Sequence, residues 1–263
     1  MSLQFEKIRD TNLHYSFHSE TKAAKPVVFL NSLGTDFRIW QGVADKLPDV
    51  PKLMMDKRGH GLSDMGAISI EGLAQDVAGL MDHLGLTAAI ICGVSVGGLI
   101  AQSLAALRPD LVAGLVLSNT GAKIGDDATW NQRIDAVEAT GLEPMADAVM
   151  ERWFSAEFHK TKSAQLAGYR NMLTRTTVEG YAQSCRAIRD ADLTVSTRAI
   201  AVPTICIGGS EDKATPPELV RALSDLIADS KLEIIQGVGH LPCLEVPEII
   251  ADHVNDLWRT LNQ

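Results

Sequence analysis

The feature that most constrains this chain is an alternation of short, wholly apolar runs with longer stretches of helical period. The runs P-V-V-F-L-N (26–31), L-M-M-D (53–56), A-A-I-I-C (88–92) and G-L-V-L-S-N (114–119) show no polar alternation. A strand is apolar on both faces only when both faces are covered. Helical patterns separate the runs at 40–47 and 70–84. A further helix places Val96, Leu99, Ile100, Leu104 and Leu107 on one face before Pro109 stops it. Strand, helix, strand in this order implies an α/β fold with a mostly parallel sheet flanked by helices. The opening differs. Leu13, Tyr15 and Phe17 alternate with polar residues, as in a half-exposed strand, and D-T-N before them suits a hairpin turn.

The alternation then stops. Between 121 and 196 no strand pattern occurs, only helical ones at 129–140, 143–154, 160–174 and 177–190. This stretch holds Trp130, Trp153, Phe154, Phe158, Tyr169 and Tyr181. Afterwards P-T-I-C-I-G-G, P-P-E-L-V-R-A-L and K-L-E-I-I-Q resume strand, helix, strand, and a last helix carries Ile250, Val254, Leu257, Trp258 and Leu261 on one face. The expected organisation is a core of residues 1–120 and 197–263, with 121–196 inserted between two core strands as a helical cap. No repeats or low-complexity tracts interrupt it, and 263 residues suffice to bury one such core.

Charge narrows the partners. With 24 basic and 33 acidic residues the chain carries a formal charge of −9, which argues against nucleic acid and anionic membranes. An anionic substrate would need a local cation. Cys92, Cys185, Cys206 and Cys243 form no C-x-x-C pair, so they read as small buried hydrophobes rather than a zinc or dithiol site. M-S-L-Q-F-E-K is mixed and polar, unlike a secretory signal, and no apolar run is long enough to span a bilayer. The expectation is a cytoplasmic protein. The glycines at 93–98 lack both a P-loop lysine and dinucleotide spacing, so no cofactor and no metal is expected.

The chemistry is expected where strands end. C-G-V-S-V-G-G (92–98) puts Ser95 on the turn between an apolar run and a helix, with Gly93 and Gly97 two residues away on either side. A side chain on so sharp a turn points out of the sheet, and neighbouring side chains would collide with strand and helix. The helix N-terminus there favours developing negative charge. This is the G-x-S-x-G nucleophile elbow. A serine hydroxyl needs a base, and a histidine base needs a carboxylate. The loop S-E-D-K-A-T-P-P offers Asp212, with Glu211 as its competitor, and G-V-G-H-L-P offers His240. The end of the earlier run reads S-N-T, with Asn119 and no carboxylate. An oxyanion needs two backbone donors. The N–H of Val96 is one. The loop N-S-L-G supplies the other at Leu33, where Gly34 permits the turn. His60 in R-G-H-G is read as ordering its loop.

These residues resemble the α/β-hydrolase superfamily over nearly the whole chain. D-K-R-G-H-G-L-S (56–63) is similar to its D-x-R-G-x-G-x-S signature. L-N-S-L-G (30–34), E-R-W-F-S (151–155), S-C-R-A-I-R-D-A-D-L (184–193) and E-D-K-A-T-P-P (211–217) resemble 3-oxoadipate enol-lactonases more closely. That resemblance implies a serine hydrolase that opens the enol-lactone of aromatic catabolism to 3-oxoadipate. Its substrate is a small lactone bearing a carboxylate. The cap is expected to hold that carboxylate with Arg133, while Trp130, three residues earlier on the same helical face, and Trp153 wall the ring. Arg152, Arg170, Arg186 and Arg189 are rivals to Arg133. A general carboxylesterase, lactonase or perhydrolase would use the same serine, acid and histidine. A receptor for small molecules on the same fold is the alternative outside enzymes.

Overall fold

The computed structural model describes residues 4–19 and 24–262. Residues 1–3, which begin the stretch read for a secretory signal, lie outside them. Eight strands form a single sheet: β1 (Gln4–Ile8), β2 (Thr11–His18), β3 (Val27–Leu30), β4 (Lys52–Met55), β5 (Ala89–Val94), β6 (Val112–Ser118), β7 (Thr204–Gly209) and β8 (Lys231–Ile235), in the order β1-β2-β4-β3-β5-β6-β7-β8. β2 runs antiparallel to both β1 and β4. Every other pairing, from β4–β3 to β7–β8, is parallel. β3 and β5 are buried at every position, as runs without polar alternation require.

Helices flank this sheet. They are α1 (Gln41–Ala44), α2 (Ile70–Leu84), α3 (Val96–Leu107), α10 (Pro217–Leu226), α11 (Pro242–Glu245) and α12 (Pro247–Leu261). Between β6 and β7 lie α4 (Asp127–Thr140), α5 (Ala146–Trp153), α6 (Ala156–Thr161), α7 (Ser163–Thr174), α8 (Val178–Asp190) and α9 (Thr194–Thr197), with no strand among them. α2 and α3 pack on each other, α1 packs on α12, and α3 and α12 both meet β5 and β6.

The differences from the sequence reading have local causes. The helix expected at 40–47 is a short helical turn at Phe37–Trp40 running into α1, because Asp36 caps the chain early by accepting from Arg38 N–H at 3.1 Å. The helix expected at 160–174 breaks at Lys162, whose φ of −123° and ψ of 40° are not helical. Ser155 caps the extra piece, α6, by accepting from Phe158 N–H. Nor is β2 half-exposed. His14 and Ser16 are buried along with Leu13 and Tyr15, and the loop after β4 bonds to His14 through Asp56 and Ser63.

That loop carries the D-x-R-G-x-G-x-S signature, and it is a hydrogen-bonded staple. Asp56 accepts from His14 Nδ1 at 2.7 Å, Phe37 N–H at 2.8 Å and Leu62 N–H at 3.0 Å. Arg58 forms a two-pronged pair with Asp76 on α2, both bonds at 2.7 Å. Ser63 donates to Asp56 O and accepts from His14 N–H. The loop thereby fixes the segment after β3, one wall of the site.

Candidate active site

β5 ends at Val94 and α3 starts at Val96, so Ser95 alone makes the turn. Its φ is 60°, a value that a residue with a side chain adopts only under constraint. The constraint is visible. Ser95 N–H donates to Ser118 O at 3.0 Å, and Ser95 O accepts from Thr120 Oγ1 at 2.7 Å. A Cβ on Gly93 would lie 2.3 Å from Gly97 O, and one on Gly97 would lie 2.2 Å from Leu30 O. No other residue fits either position without moving backbone. The turn puts the Ser95 hydroxyl on a cavity of about 150 Å³ at the carboxyl end of the sheet.

His240, from the loop after β8, opens on the same cavity. Its Nδ1 is 2.8 Å from Asp212 Oδ2, in the loop after β7. A carboxylate only accepts, so Nδ1 carries the proton and Nε2 is left as the basic nitrogen. Ser95 Oγ and His240 share the cavity without a hydrogen bond between them. Such contacts are often loose until substrate is bound. Asp212 also accepts from Ala214 N–H at 2.7 Å, Thr215 N–H at 2.9 Å, Thr215 Oγ1 at 2.6 Å and Asn119 Nδ2 at 2.8 Å. Burial alone would raise the Asp212 carboxyl. The electrostatic pull and hydrogen bond of the neighbouring His240, with the Thr215 donors, outweigh burial and hold it below the ordinary carboxylate range.

The N–H groups of Leu33 and Val96 have no hydrogen-bond partner among the described residues. Gly34, at φ 72°, makes the turn beyond Leu33. A Cβ there would lie 2.6 Å from Leu173 Cδ1 in the cap, so close packing as well as backbone geometry calls for glycine.

The opposite wall comes from the cap. Trp130, Arg133, Arg152, Trp153 and Tyr181 all line the cavity. Trp130 is locked by its Nε1–H, which donates to Ile124 O at 2.7 Å, and Arg133 Cζ lies 5.0 Å over its ring. Neither Arg133 nor Arg152 has a carboxylate partner among the described residues. Burial lowers the Arg152 pKa, and repulsion from Arg133 lowers it further. Lys213 adds a third cation to the lining. The remaining rivals are elsewhere: Arg170 pairs with Glu143 and Asp147, Arg186 with Glu138, and Arg189 with Asp190.

Cap and core are latched beside the histidine. His240 N–H donates to Trp153 O at 2.8 Å. Glu245 accepts from Gly239 N–H at 2.9 Å and from both the N–H and the hydroxyl of Ser155. Glu211, the competitor of Asp212, instead accepts from Ala156 N–H at 2.9 Å at the start of α6. Sequence reasoning missed Asn119, Thr215 and Glu245. A reading that looks only for a carboxylate after β6 passes over Asn119. The signal was an amide at a strand end whose partner loop held the acid.

The family model for the alpha/beta hydrolase fold matches residues 25–247. The chain belongs to the α/β-hydrolase family. Among α/β-hydrolases, 3-oxoadipate enol-lactonase 2 of Acinetobacter baylyi is 32% identical over 258 residues, covering 97% of this chain and 96% of that protein. 3-Oxoadipate enol-lactonase 1 of the same organism is 34% identical over 227 residues, 86% of this chain and 85% of that one. The crystal structure of the enol-lactonase from Burkholderia xenovorans LB400 superposes with a TM-score of 0.93 at 35% identity, covering 97% of this chain and 100% of that one. This α/β-hydrolase is therefore a hydrolase with enol-lactonase relatives. No helix among its described residues is long and apolar enough to cross a membrane.

Proposed function

We infer that this hydrolase opens a small lactone carrying a carboxylate, with 3-oxoadipate enol-lactone as the favoured substrate. The observation that supports this most is the pairing of Arg133 and Arg152, two guanidinium groups without carboxylate partners, facing the cavity that holds Ser95 and His240. Two cations without carboxylate partners among the described residues, set in the cavity of a protein of formal charge −9, suit an anionic substrate. The enol-lactonase identity of the relatives, over nearly the whole chain, agrees with it.

In this reading Ser95 Oγ attacks the lactone carbonyl carbon while His240 Nε2 takes the hydroxyl proton. The tetrahedral oxyanion receives the N–H groups of Leu33 and Val96. Collapse breaks the bond from carbonyl carbon to ring oxygen. The oxygen leaves as an enolate, takes the proton from His240 and ketonises. Water then attacks the ester on Ser95, giving its proton to His240; collapse breaks the bond to Ser95 Oγ, which takes that proton back from His240, and the second carboxylate is released. Asp212 stays ionised throughout and fixes the Nδ1–H tautomer. Arg133 and Arg152 hold the substrate carboxylate, and Trp130 and Trp153 flank the ring.

The test is hydrolysis of 3-oxoadipate enol-lactone beside neutral lactones and p-nitrophenyl acetate, with Ser95→Ala as control. A strong preference for the anionic lactone, lost in Ser95→Ala, is the expected result. Turnover of neutral esters alone would leave a carboxylesterase. Binding without turnover of any of them would point to a receptor.

A further inference from the structure

The signature loop after β4 contains a lysine whose role the catalytic scheme does not use. Lys57 is 5% exposed and does not line the cavity. Its Nζ donates to Ser32 O at 2.6 Å and to Thr35 O at 3.2 Å. Three residues on, His60 Nε2 accepts from Gly34 N–H at 3.0 Å. Three hydrogen bonds from one loop thus bracket Leu33 on both sides.

One of the three is special. The Ser32 carbonyl and the Leu33 N–H belong to a single peptide unit. That unit is planar and trans, so its C=O and N–H point in opposite directions. Whatever grips the carbonyl from behind aims the N–H forward. Ser32 and Leu33 line the cavity with Ser95 and Lys57 does not; the Ser32 carbonyl accepts from Lys57 Nζ at 2.6 Å and also from Thr35 Oγ1 at 2.9 Å. We propose that Lys57 is a positioning residue of the oxyanion hole: it holds and polarises the Ser32–Leu33 peptide so that the Leu33 N–H meets the developing oxyanion. The proposal rests on the serine-hydrolase reading above.

Two physical effects follow from this placement. The first is orientation, because an oxyanion donor works only if fixed before charge develops. The second is polarisation. A donor on the carbonyl strengthens the N–H at the other end of the peptide, and in a site shielded from water that coupling is little screened. Packing alone does not account for a lysine here, since a buried charge is often replaced by an apolar residue without loss of stability. The nearby carboxylates are engaged elsewhere: Asp36 pairs with Arg38, and Asp56 accepts from His14, Phe37 and Leu62. Burial pushes the Lys57 ammonium down to about 7, against the opposing pull of Asp56 and Asp36, with His60 also facing it.

The test uses Lys57→Met, which fills the same buried space without N–H groups, and Lys57→Gln, which restores uncharged donors. Both are assayed on p-nitrophenyl acetate, which needs no anion seat, and against a boronic acid whose tetrahedral adduct on Ser95 mimics the oxyanion. The expected result for Lys57→Met is a fall in kcat of ~10–100-fold, somewhat less than loss of a direct donor. KM should stay within about twofold, boronate affinity should weaken by a similar factor, and the melting temperature should be little changed. Lys57→Gln should recover part of kcat and, if Lys57→Met does not fold, carries the test by the same split. Unchanged kcat and boronate affinity overturn the proposal. So does a parallel loss of kcat, affinity and melting temperature without recovery in Lys57→Gln, which would mark a brace of the fold only. Ser95→Ala separates the two readings. If it stays active, the serine mechanism fails. If it is dead while Lys57→Met is fully active, only the role of Lys57 fails.

Discussion

The two walls of the cavity are built on opposite principles. On the core wall polar groups are tied down: Asp212 takes five hydrogen bonds, and Ser95 is held at both its backbone N–H and C=O. On the cap wall the charges are left unpaired. Arg133 leans on an aromatic face rather than a carboxylate, and Arg152 sits beside it with no counter-ion among the described residues. Under the proposed function, the contrast separates chemistry from recognition. Bond-making groups gain by being fixed before the substrate arrives, because reorganisation during the reaction slows it. A recognition group gains by having its strongest partner arrive with the ligand.

Mutations on the two walls should therefore differ in kind. The largest effect belongs to Ser95→Ala, with kcat expected to fall ~10⁴-fold or more and KM to move little. Asp212→Asn should follow at about 10³–10⁴-fold in kcat, because an amide no longer fixes the Nδ1–H tautomer. On the cap wall, Arg133→Ala and Arg152→Ala should each raise KM for the anionic lactone about 10–100-fold, the value of a charged hydrogen bond, and leave p-nitrophenyl acetate hydrolysis nearly unchanged. Equal losses on both substrates would erase the division between the walls. Asn119→Ala, which removes one donor from Asp212, is expected to lower kcat only about 3–30-fold.

The smallest effect is on stability. Asp212 is held below its ordinary value of 3.8, so its ionised form favours the folded state. That contribution is full above the unfolded value and is lost as pH falls below 3.8 through the folded one. Thermal melts should show the gap between wild type and Asp212→Asn closing as the pH falls below 3.8. A gap independent of pH would mean that the carboxylate does not stabilise the fold by its charge.

The same contrast explains what the sequence disclosed. The buried strands, the run of helices between β6 and β7 and the turn at Ser95 were legible because they rest on local rules: apolar runs, helical period and glycine spacing. The loops after β7 and β8 each offered one residue able to pair with the other, and Asp212 and His240 lie 2.8 Å apart. Partners that depend on distant chain were not legible. Asn119 meets Asp212 from 93 residues away, and Glu245 meets Ser155 across 90. Arg152 could be placed among rivals but not chosen. What singles it out is that Arg170, Arg186 and Arg189 are already paired on the surface, and pairing has no signature along one chain. The break at Lys162 was invisible for a similar reason, since the helical pattern on either side continues through it.

The latch at Trp153 has a consequence for how such an enzyme changes over time. Trp153, which lines the cavity, also offers its carbonyl to the backbone N–H of His240. Neighbouring Ser155 is bound to Glu245 just beyond that histidine. The junction of α5 and α6 is thus inherited with the core. α4, which brings Trp130 and Arg133, has no such tie to the histidine loop. A lineage seeking a new substrate can rewrite α4 while leaving the hinge of its chemistry untouched.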